Sequence, residues 1–459
     1  MRPLLLATGL ILAGALIFTA FAVSAPTGVR RARPAADPTI ATETPQERLR
    51  RLPGDHRGWA SLGAQYVDQA RTTGDPSFYA KADGALATAA RLDPHDDTVL
   101  TGQAALAAGR HEFADAARLA ERAITANPYS AAAHGVLADA RTQLGRLRAA
   151  EQAIGRLLNL RPGVAAFARA SYAAELRGDQ REARRLLEYA HDDAVTPADL
   201  AFTRHYLGEL ALHSGDLATA DQWYARALAA QPAHTPALAG RARVAALSGR
   251  LTEALGLYDR VVQRLPLPQY LIEQGETRLK AGLRADWTLL EAQRPQQAEA
   301  GVRDDLTWAE FEADHGDPQR AVRYARAEYA RNPNLVAADA LAWALFRSGE
   351  AKAALPYARR ATSTGWHNPL LRYHRAQIER ALKTPTRANP DRGADPRADR
   401  SADRSAHPGA DRGADPGADP GADRDTDPGP GNDGTFAPAL DADLGPAFDP
   451  ELPALARFS

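Results

Sequence analysis

The side chains of this sequence that could do acid–base or metal chemistry are histidines and paired carboxylates. His205 and His213 are eight residues apart on one predicted helix, which separates them by roughly 12 Å along its axis. One metal ion cannot bridge that distance, so we interpret both as groove-facing or solvated side chains. Asp304 and Asp305, like the pair at 192–193, fall at predicted loops or helix starts, where a carboxylate stabilises the helix dipole. We therefore assign them to capping rather than catalysis.

The aspartate-rich tail is a further candidate for metal chemistry. Residues 391–430 divide into tetrapeptides that begin with Asp, except that His407 replaces one of them. Calcium needs six to eight oxygen ligands on a turn of defined geometry, whereas here Arg is interspersed and no apolar positions recur to fold a β-roll. We expect residues 385–435 to be a disordered linker rich in Asp, Pro, Gly, Ala and Arg.

The motifs of common enzyme classes are missing from this sequence. It contains no GxxxxGK[ST], GxGxxG, HExxH or GxSxG, and without Cys it has no thiolate nucleophile or Cys-ligated metal. A formal net charge of −1 offers no basic face for phosphate. We expect no enzymatic activity, no cofactor, no metal and no nucleic-acid partner. The alternative is an enzyme whose site is assembled from residues that one sequence does not reveal.

A helical repeat positions these side chains. Successive segments close at prolines separated by 34, 70, 34 and 67 residues, that is, by one or two units: Pro128, Pro162, Pro232, Pro266 and Pro333. A period near 34 indicates an array of helical hairpins.

Within one unit, residues 205–232, small residues stand at fixed offsets. Two antiparallel helices approach closely only where side chains are small, so we expect Gly208 and Ala220 at the crossing. Gly215 suits the left-handed position after the first helix, and Asp216 can cap the second by accepting a backbone N–H.

These positions resemble the tetratricopeptide repeat. They are carried by Leu207-Gly208, Ala211, Gly215-Asp216, Ala220, Tyr224 and Ala227, and in the first unit by Trp59, Leu62, Gly63 and Tyr66. The chain as a whole resembles exported tetratricopeptide proteins of high-GC Gram-positive bacteria. The resemblance implies an all-α fold, an α-solenoid of stacked antiparallel helix pairs. We place it at residues 46–384, with about nine and a half repeats, a distorted unit at 267–300 and a kink at Pro356.

The resemblance also implies a partner-binding groove, because partners of this family lie along exposed positions of the first helices. Carried over to this sequence, those positions are His205, Glu209, His213, Arg243, Glu310, Asp314, Trp343, Phe346 and Arg347. Trp343 and Phe346 suit partner anchoring, since large aromatic side chains on an open face are typical of binding hot spots. The alternative is that both pack on the neighbouring unit.

The N-terminus indicates a membrane segment. Residues 4–23 carry no charge and are long enough to span a bilayer. We expect residues 1–25 to be a signal peptide or membrane anchor, followed by a linker at 26–45, with the body exported. The arginines at 30, 31 and 33 favour the alternative of a cytoplasm-facing anchored adaptor in signalling or transcription control.

The C-terminus adds one structural expectation. Residues 368–383 are typical of a first helix that lacks its partner, so an apolar face needs a cap. We expect the short apolar tail at 436–459 to supply part of it. Together these features predict a non-catalytic protein–protein interaction scaffold at the cell envelope, which binds a protein or extended peptide in its concave groove.

Overall fold

The computed structural model of the chain describes residues 43–383. The predictions for residues 1–25, for the first part of the linker at 26–45, and for 385–435 and 436–459 lie outside the described residues. In the part described, no helix is long and apolar enough to cross a bilayer.

All regular secondary structure of residues 43–383 is helical. The helices are, in chain order, α1 (Pro45–Arg51), α2 (His56–Thr73), α3 (Ser77–Leu92), α4 (Asp97–Gly109), α5 (Phe113–Ala126), α6 (Ala131–Gln143), α7 (Leu147–Leu160), α8 (Val164–Leu176), α9 (Gln180–Asp192), α10 (Pro197–His213), α11 (Leu217–Ala230), α12 (Thr235–Leu247), α13 (Leu251–Arg264), α14 (Pro268–Lys280), α15 (Thr288–Glu299), α16 (Asp305–His315), α17 (Pro318–Arg331), α18 (Leu335–Arg347), α19 (Ala351–Ala361) and α20 (Pro369–Lys383).

From α2 onwards, helices pair in order as hairpins, and each hairpin packs on the next. The first helices of the hairpins are thus α2, α4, α6 and so on to α18, and α20 follows as a first helix whose second helix is not among residues 43–383. Alanine is the most frequent residue of the buried core, because only small side chains let so many helices approach closely. This arrangement is the predicted all-α solenoid.

The hairpin of α10 and α11 shows how the sequence encodes the turn. Gly215 follows α10 in the left-handed region, with φ of 81°, and the Asp216 side chain accepts the Thr219 N–H at 2.9 Å. At the crossing, however, the atoms nearest to a Cβ built on Gly208 belong to Tyr224 rather than to Ala220. The larger ring fills the space that the missing Cβ leaves.

The expected distortion at residues 267–300 is observed. Contact between α14 and α15 is the weakest within any hairpin, and Pro295 lies inside α15. The Trp287 ring covers Gly275 so closely that a Cβ there would lie 2.1 Å from it. Pro356 lies inside α19, a second helix, and the kink expected there stays a prediction.

Distant hairpins also contact one another along a line that we call the seam. Asn334 Nδ2 donates to the Gln143 carbonyl at 2.8 Å, across 191 residues, and the Arg303 N–H donates to the Arg110 carbonyl at 3.1 Å. Trp366 Nε1 donates to a Glu175 carboxylate oxygen at 3.3 Å, again across 191 residues. Units that lie roughly five and a half repeats apart therefore contact each other, as they do where successive turns of a superhelix meet.

Candidate functional site

Polar side chains of neighbouring first helices pair with one another along the array. We call this set the polar ladder. It consists of Asp139–Arg169, Glu175–His213, Glu209–Arg243, Arg243–Glu273, Glu276–His315, Asp314–Arg347 and Asp339–His374.

The spacing of these pairs follows from the repeat. The paired residues are separated by 30 to 39 residues, which is one unit of about 34 residues shifted by up to about one helical turn. Stacked units bring equivalent positions together. The ladder therefore links successive first helices from α6 to α20.

Arg243 is the centre of the ladder. It is 2% exposed, and its Nη1 and Nε lie 3.0 Å from Glu209 Oε1 and 3.3 Å from Glu273 Oε1. Tyr224 donates its hydroxyl proton to Glu209 at 2.7 Å, and Tyr258 donates to Glu273 at 2.9 Å. Each carboxylate thus accepts a hydrogen bond from one tyrosine hydroxyl, and the two carboxylates share the Arg243 guanidinium.

One guanidinium cannot neutralise two buried carboxylates. Burial opposes the positive charge of Arg243, but Glu273 and Glu209 outweigh it and hold the Arg243 pKa above its ordinary value. Burial raises the pKa of Glu273 to about 7, although Arg243 acts in the opposite direction. Burial also raises the pKa of Glu209. The cluster therefore keeps its cation and disfavours a second negative charge.

Histidines beside this cluster are held neutral. Burial lowers the pKa of His205 well below its ordinary value, and its Nδ1 lies 3.6 Å from Glu209 Oε1. Burial also lowers the pKa of His234 to about 4. The imidazole Nδ1 of His234 accepts the Ala237 N–H at 3.2 Å, which caps α12 and requires an unprotonated nitrogen.

The structure places most of the predicted groove residues inside the protein. The side chains that are buried are those of His205, Glu209, Arg243, Glu310, Asp314 and Trp343. His213 is also nearly covered where it meets Glu175, whereas Phe346 and Arg347 are partly exposed. These positions do not form an open face, because residues one repeat apart cover each other.

Trp343 and Phe346 illustrate the difference. The Trp343 ring stacks on His374 of the next unit, with centroids 4.0 Å apart, and its Nε1 donates to Asp314 at 3.0 Å. Phe346 packs beside it at 5.2 Å. Packing on the neighbouring unit, the alternative considered from sequence, is what the structure shows. Contact with a partner stays a prediction for all nine residues, and the buried ones would need the first helices to part.

The partners of these side chains were not predicted from sequence. Asp139, Arg169, Glu175 and Glu273 were not singled out, yet all are buried members of the ladder. The signal that could have found them is opposite charge or a His–carboxylate pair at one-repeat spacing.

An apolar groove lies on a different part of the array, and we call it the α6–α10 groove. It has a volume of about 290 Å³. Its lining includes Val136, Leu157, Val164 and Val195. Val195 is 85% exposed, and Tyr129, two residues before the groove residue Ala131, is 79% exposed. Large apolar side chains left in water beside an apolar groove are typical of interaction surfaces.

One group in residues 43–383 has the spacing of metal ligands, namely His56, Asp93 and Asp96. Asp96 already accepts the Val99 N–H at 3.2 Å and the Arg57 Nε–H at 3.0 Å. Its role at the start of α4 is capping, so this cluster supports no metal chemistry.

Comparison with known proteins identifies the repeat. Residues 105–171 match the family model described as tetratricopeptide repeat. No curated protein matches the chain in sequence. The helical array is similar to a tetratricopeptide-repeat protein of Thermus thermophilus, at 22% identity over 41% of this chain and 97% of that one, with a TM-score of 0.36.

Two other solved structures are also similar. One is PilW, a type IV pilus biogenesis factor, at 19% identity over 49% of this chain and 96% of PilW, with a TM-score of 0.36. The other is a human IFIT1 dimer with m7Gppp-AAAA, at 16% identity over 62% of this chain and 68% of that one, with a TM-score of 0.42. At these values the likeness carries no functional argument. The sequence match at residues 105–171 and the stacked hairpins of residues 43–383 show an all-α solenoid of tetratricopeptide type.

Proposed function

We propose that this chain is a non-catalytic interaction scaffold at the cell envelope, which binds a protein or an extended peptide. Tetratricopeptide arrays are protein-interaction scaffolds, because stacked hairpins present a long surface that many side chains can line. A location at the cell envelope and a particular binding surface go beyond that general role.

The observation that carries the binding surface is the α6–α10 groove. Tyr129 and Val195 are large apolar side chains that remain mostly in water. Burial of such side chains against a partner contributes binding free energy of about 25 cal/mol per Å² of apolar surface before the costs of association. Arg161, Asp193 and Asp199 also line the groove and provide a polar rim of both charges.

The location rests on residues 4–23, which are apolar and uncharged. We propose that they direct the body across the membrane. A reporter fused after Lys383, active only outside the cytoplasm, would support this location. Activity only in the cytoplasm would contradict it and favour the anchored adaptor suggested by the arginines at 30, 31 and 33.

Capture of partners by the full chain tests the binding surface. The full chain would be cross-linked and isolated from envelope and cytoplasmic fractions, in parallel with the double variant Tyr129→Ser/Val195→Ser. The matched control is Leu279→Ser/Leu283→Ser, which changes two other exposed apolar side chains. We expect one partner that is lost with the groove variant and retained with the control.

Two results would count against this proposal. Equal capture by both variants would show that the groove is not the binding surface. Capture of no partner by the unaltered chain, in either fraction, would contradict the scaffold function itself.

A further inference from the structure

One turn at the seam departs from the pattern of the others. His111, between α4 and α5, has a φ of 62° and is the one non-glycine residue of residues 43–383 with positive φ. The corresponding turns of six other hairpins hold glycines with φ between 69° and 90°, namely Gly145, Gly178, Gly215, Gly249, Gly282 and Gly349. A side chain in this region is unfavourable, and residues held in such conformations cluster at binding sites.

His111 lines a cavity of about 490 Å³ between α2–α4 and α14–α16. We call it the seam cavity. Its volume lies within the range of ligand pockets. The His111 ring stacks on Phe113 with centroids 5.6 Å apart, and its Nδ1 lies 4.0 Å from Asp304 Oδ1. The unfavourable turn thus holds an imidazole at the edge of a cavity.

Two other lining residues have polar atoms without a partner. Thr307 is completely buried, and its Oγ1 has no hydrogen-bond partner among the described residues. The buried Oε1 of Gln297 likewise lacks a donor there. Buried polar groups in native proteins are nearly always hydrogen-bonded. Two lining residues without a hydrogen-bond partner therefore indicate a site for a polar ligand.

The charged residues of the lining are already engaged. Arg71 donates to Asp68 at 2.7 Å, Asp75 accepts a backbone N–H of α3 at 2.9 Å, and Asp304 accepts the Thr307 N–H at 3.3 Å. The buried hydrogen-bonding capacity that remains is therefore neutral, one hydroxyl and one amide. A peptide group matches it, since it offers one N–H and one C=O.

The rest of the wall is apolar. Val67, Ala105, Leu267 and Leu289 line the cavity, so it also accepts hydrophobic side chains. A charged group of a ligand would have to lose its hydration against this apolar wall, which is costly, and the one lining guanidinium, that of Arg71, already pairs with Asp68.

We propose that the seam cavity binds a short peptide segment without charged side chains. Its backbone amides hydrogen-bond to Thr307 and Gln297, and its apolar side chains contact Val67 and Leu267. His111 is a positioning residue at the rim. This site lies between superhelical turns, apart from the α6–α10 groove, and does not depend on the scaffold proposal.

Binding of blocked tetrapeptides to the full chain tests the proposal. The probe is a library of N-acetyl tetrapeptide amides that contains charged and uncharged members, with selection read by mass spectrometry and affinities by titration. We expect enrichment of uncharged peptides with apolar side chains. Enrichment of charged peptides, or no enrichment, would overturn the proposal.

Two variants separate a binding role from a structural one. Thr307→Val removes an unpartnered hydroxyl, so Tm should be unchanged or raised, while peptide affinity should fall about tenfold. His111→Gly relieves the left-handed conformation, so Tm should rise and affinity should again fall. Since neither change should impair folding, unaltered affinity in both would refute the assignment.

Thr277→Val is the matched control. Thr277 is also completely buried, but its hydroxyl donates to the Glu273 carbonyl at 2.7 Å. We expect a lower Tm with unchanged peptide affinity. The groove variant Tyr129→Ser/Val195→Ser should also keep its peptide affinity, so failure of the scaffold proposal and failure of this one give different results. Loss of peptide binding in that variant would move the site to the α6–α10 groove.

Discussion

Glu209 and Arg243 lie one repeat apart, 34 residues, and form a buried ion pair with Arg243 Nη1 3.0 Å from Glu209 Oε1. Both occupy positions that in the repeat family face a partner. Here they face each other, and the same holds for the other pairs of the polar ladder. The first helices of this array therefore use their polar side chains to join neighbouring units.

The ladder should be sensitive to loss of its central cation. Arg243→Met leaves Glu209 and Glu273 buried without a counter-charge, and we expect a loss of about 3–5 kcal/mol in unfolding free energy. Urea unfolding followed by circular dichroism measures it. The control is Arg241→Met, since Arg241 and Asp221 are each 34% exposed and such pairs contribute at most about 1 kcal/mol. Similar losses in both variants would contradict a structural role for the ladder.

A methyl group added at the seam should destabilise the protein. A Cβ on Gly178 would lie 2.4 Å from the Gly365 carbonyl oxygen, and φ there is 80°. We expect Gly178→Ala to destabilise by more than about 2 kcal/mol, because backbone clash adds to the left-handed strain. Gly249→Ala shares a positive φ of 75° but has open space around it, so a loss of about 1 kcal/mol is expected. Equal Tm values would argue against contact between superhelical turns.

The Tyr224 ring packs between two glycines. Cβ atoms on Gly208 and Gly240 would lie 2.6 and 2.5 Å from it. Gly240→Ala should therefore destabilise the protein by about 1–3 kcal/mol, whereas the same change in a Tyr224→Ala background should cost little. The coupling is read from a double-mutant cycle of unfolding free energies.

Gly256 supplies the control for this cycle. It lies in α13, and a Cβ on this residue would have no neighbouring atom within 4 Å. Gly256→Ala should therefore stabilise the protein by about 0.5–1 kcal/mol through its helix preference. Absence of coupling between Gly240 and Tyr224 would show that the crossing adjusts without strain.

Acid should weaken the start of α12. Burial lowers the pKa of His234 to about 4, from an ordinary value of 6.5. A group whose folded pKa is depressed in this way favours the native state fully above the unfolded pKa, and this contribution is lost as the pH falls from 6.5 towards 4. Over that range, His234→Asn, which keeps a capping side chain, should lose about 1–2 kcal/mol less unfolding free energy than the parent. Urea unfolding at pH 7 and pH 5 measures this difference, and equal losses in both proteins would contradict it.

Glu328 should give the opposite pH dependence of the unfolding free energy from that of His234. Burial raises its pKa to about 7, although the hydrogen bond from Asn332 opposes the shift. The native state then binds the proton more tightly than the unfolded chain, so this contribution is complete below about 4.5 and is lost as the pH rises through about 7. Glu328→Gln should remove up to about 3 kcal/mol of that pH dependence. Urea unfolding at pH 5 and pH 8 measures it, and parallel slopes in parent and variant would contradict the assignment.

The hairpins could be predicted from sequence because the residues that end one helix and begin the next are neighbours in the chain. Gly215 and Asp216 end one helix and begin the next within two residues, through a left-handed backbone and a capping carboxylate. The distortion at residues 267–300 was also visible, since proline inside a helix acts on its own turn.

The candidate site was only partly predictable. The sequence assigned Arg243 and Trp343 to partner-facing positions of their helices, but in the structure both side chains are buried where units stack. The charges that pair one repeat apart are present in the sequence, yet pairing depends on how far each unit rotates on the last. The rotation between successive units therefore decides whether a side chain faces its neighbour or open water.

The sequence by itself determined the helices, their turns and their stacking order, because each depends on contacts within one or two repeats. Only the tertiary structure decided the seam, where Gln143 meets Asn334 across 191 residues. Such a contact depends on the accumulated small rotations of the roughly five and a half units between the two residues. It therefore also decided that residues of α2–α4 and α14–α16 line one cavity, which no single repeat specifies.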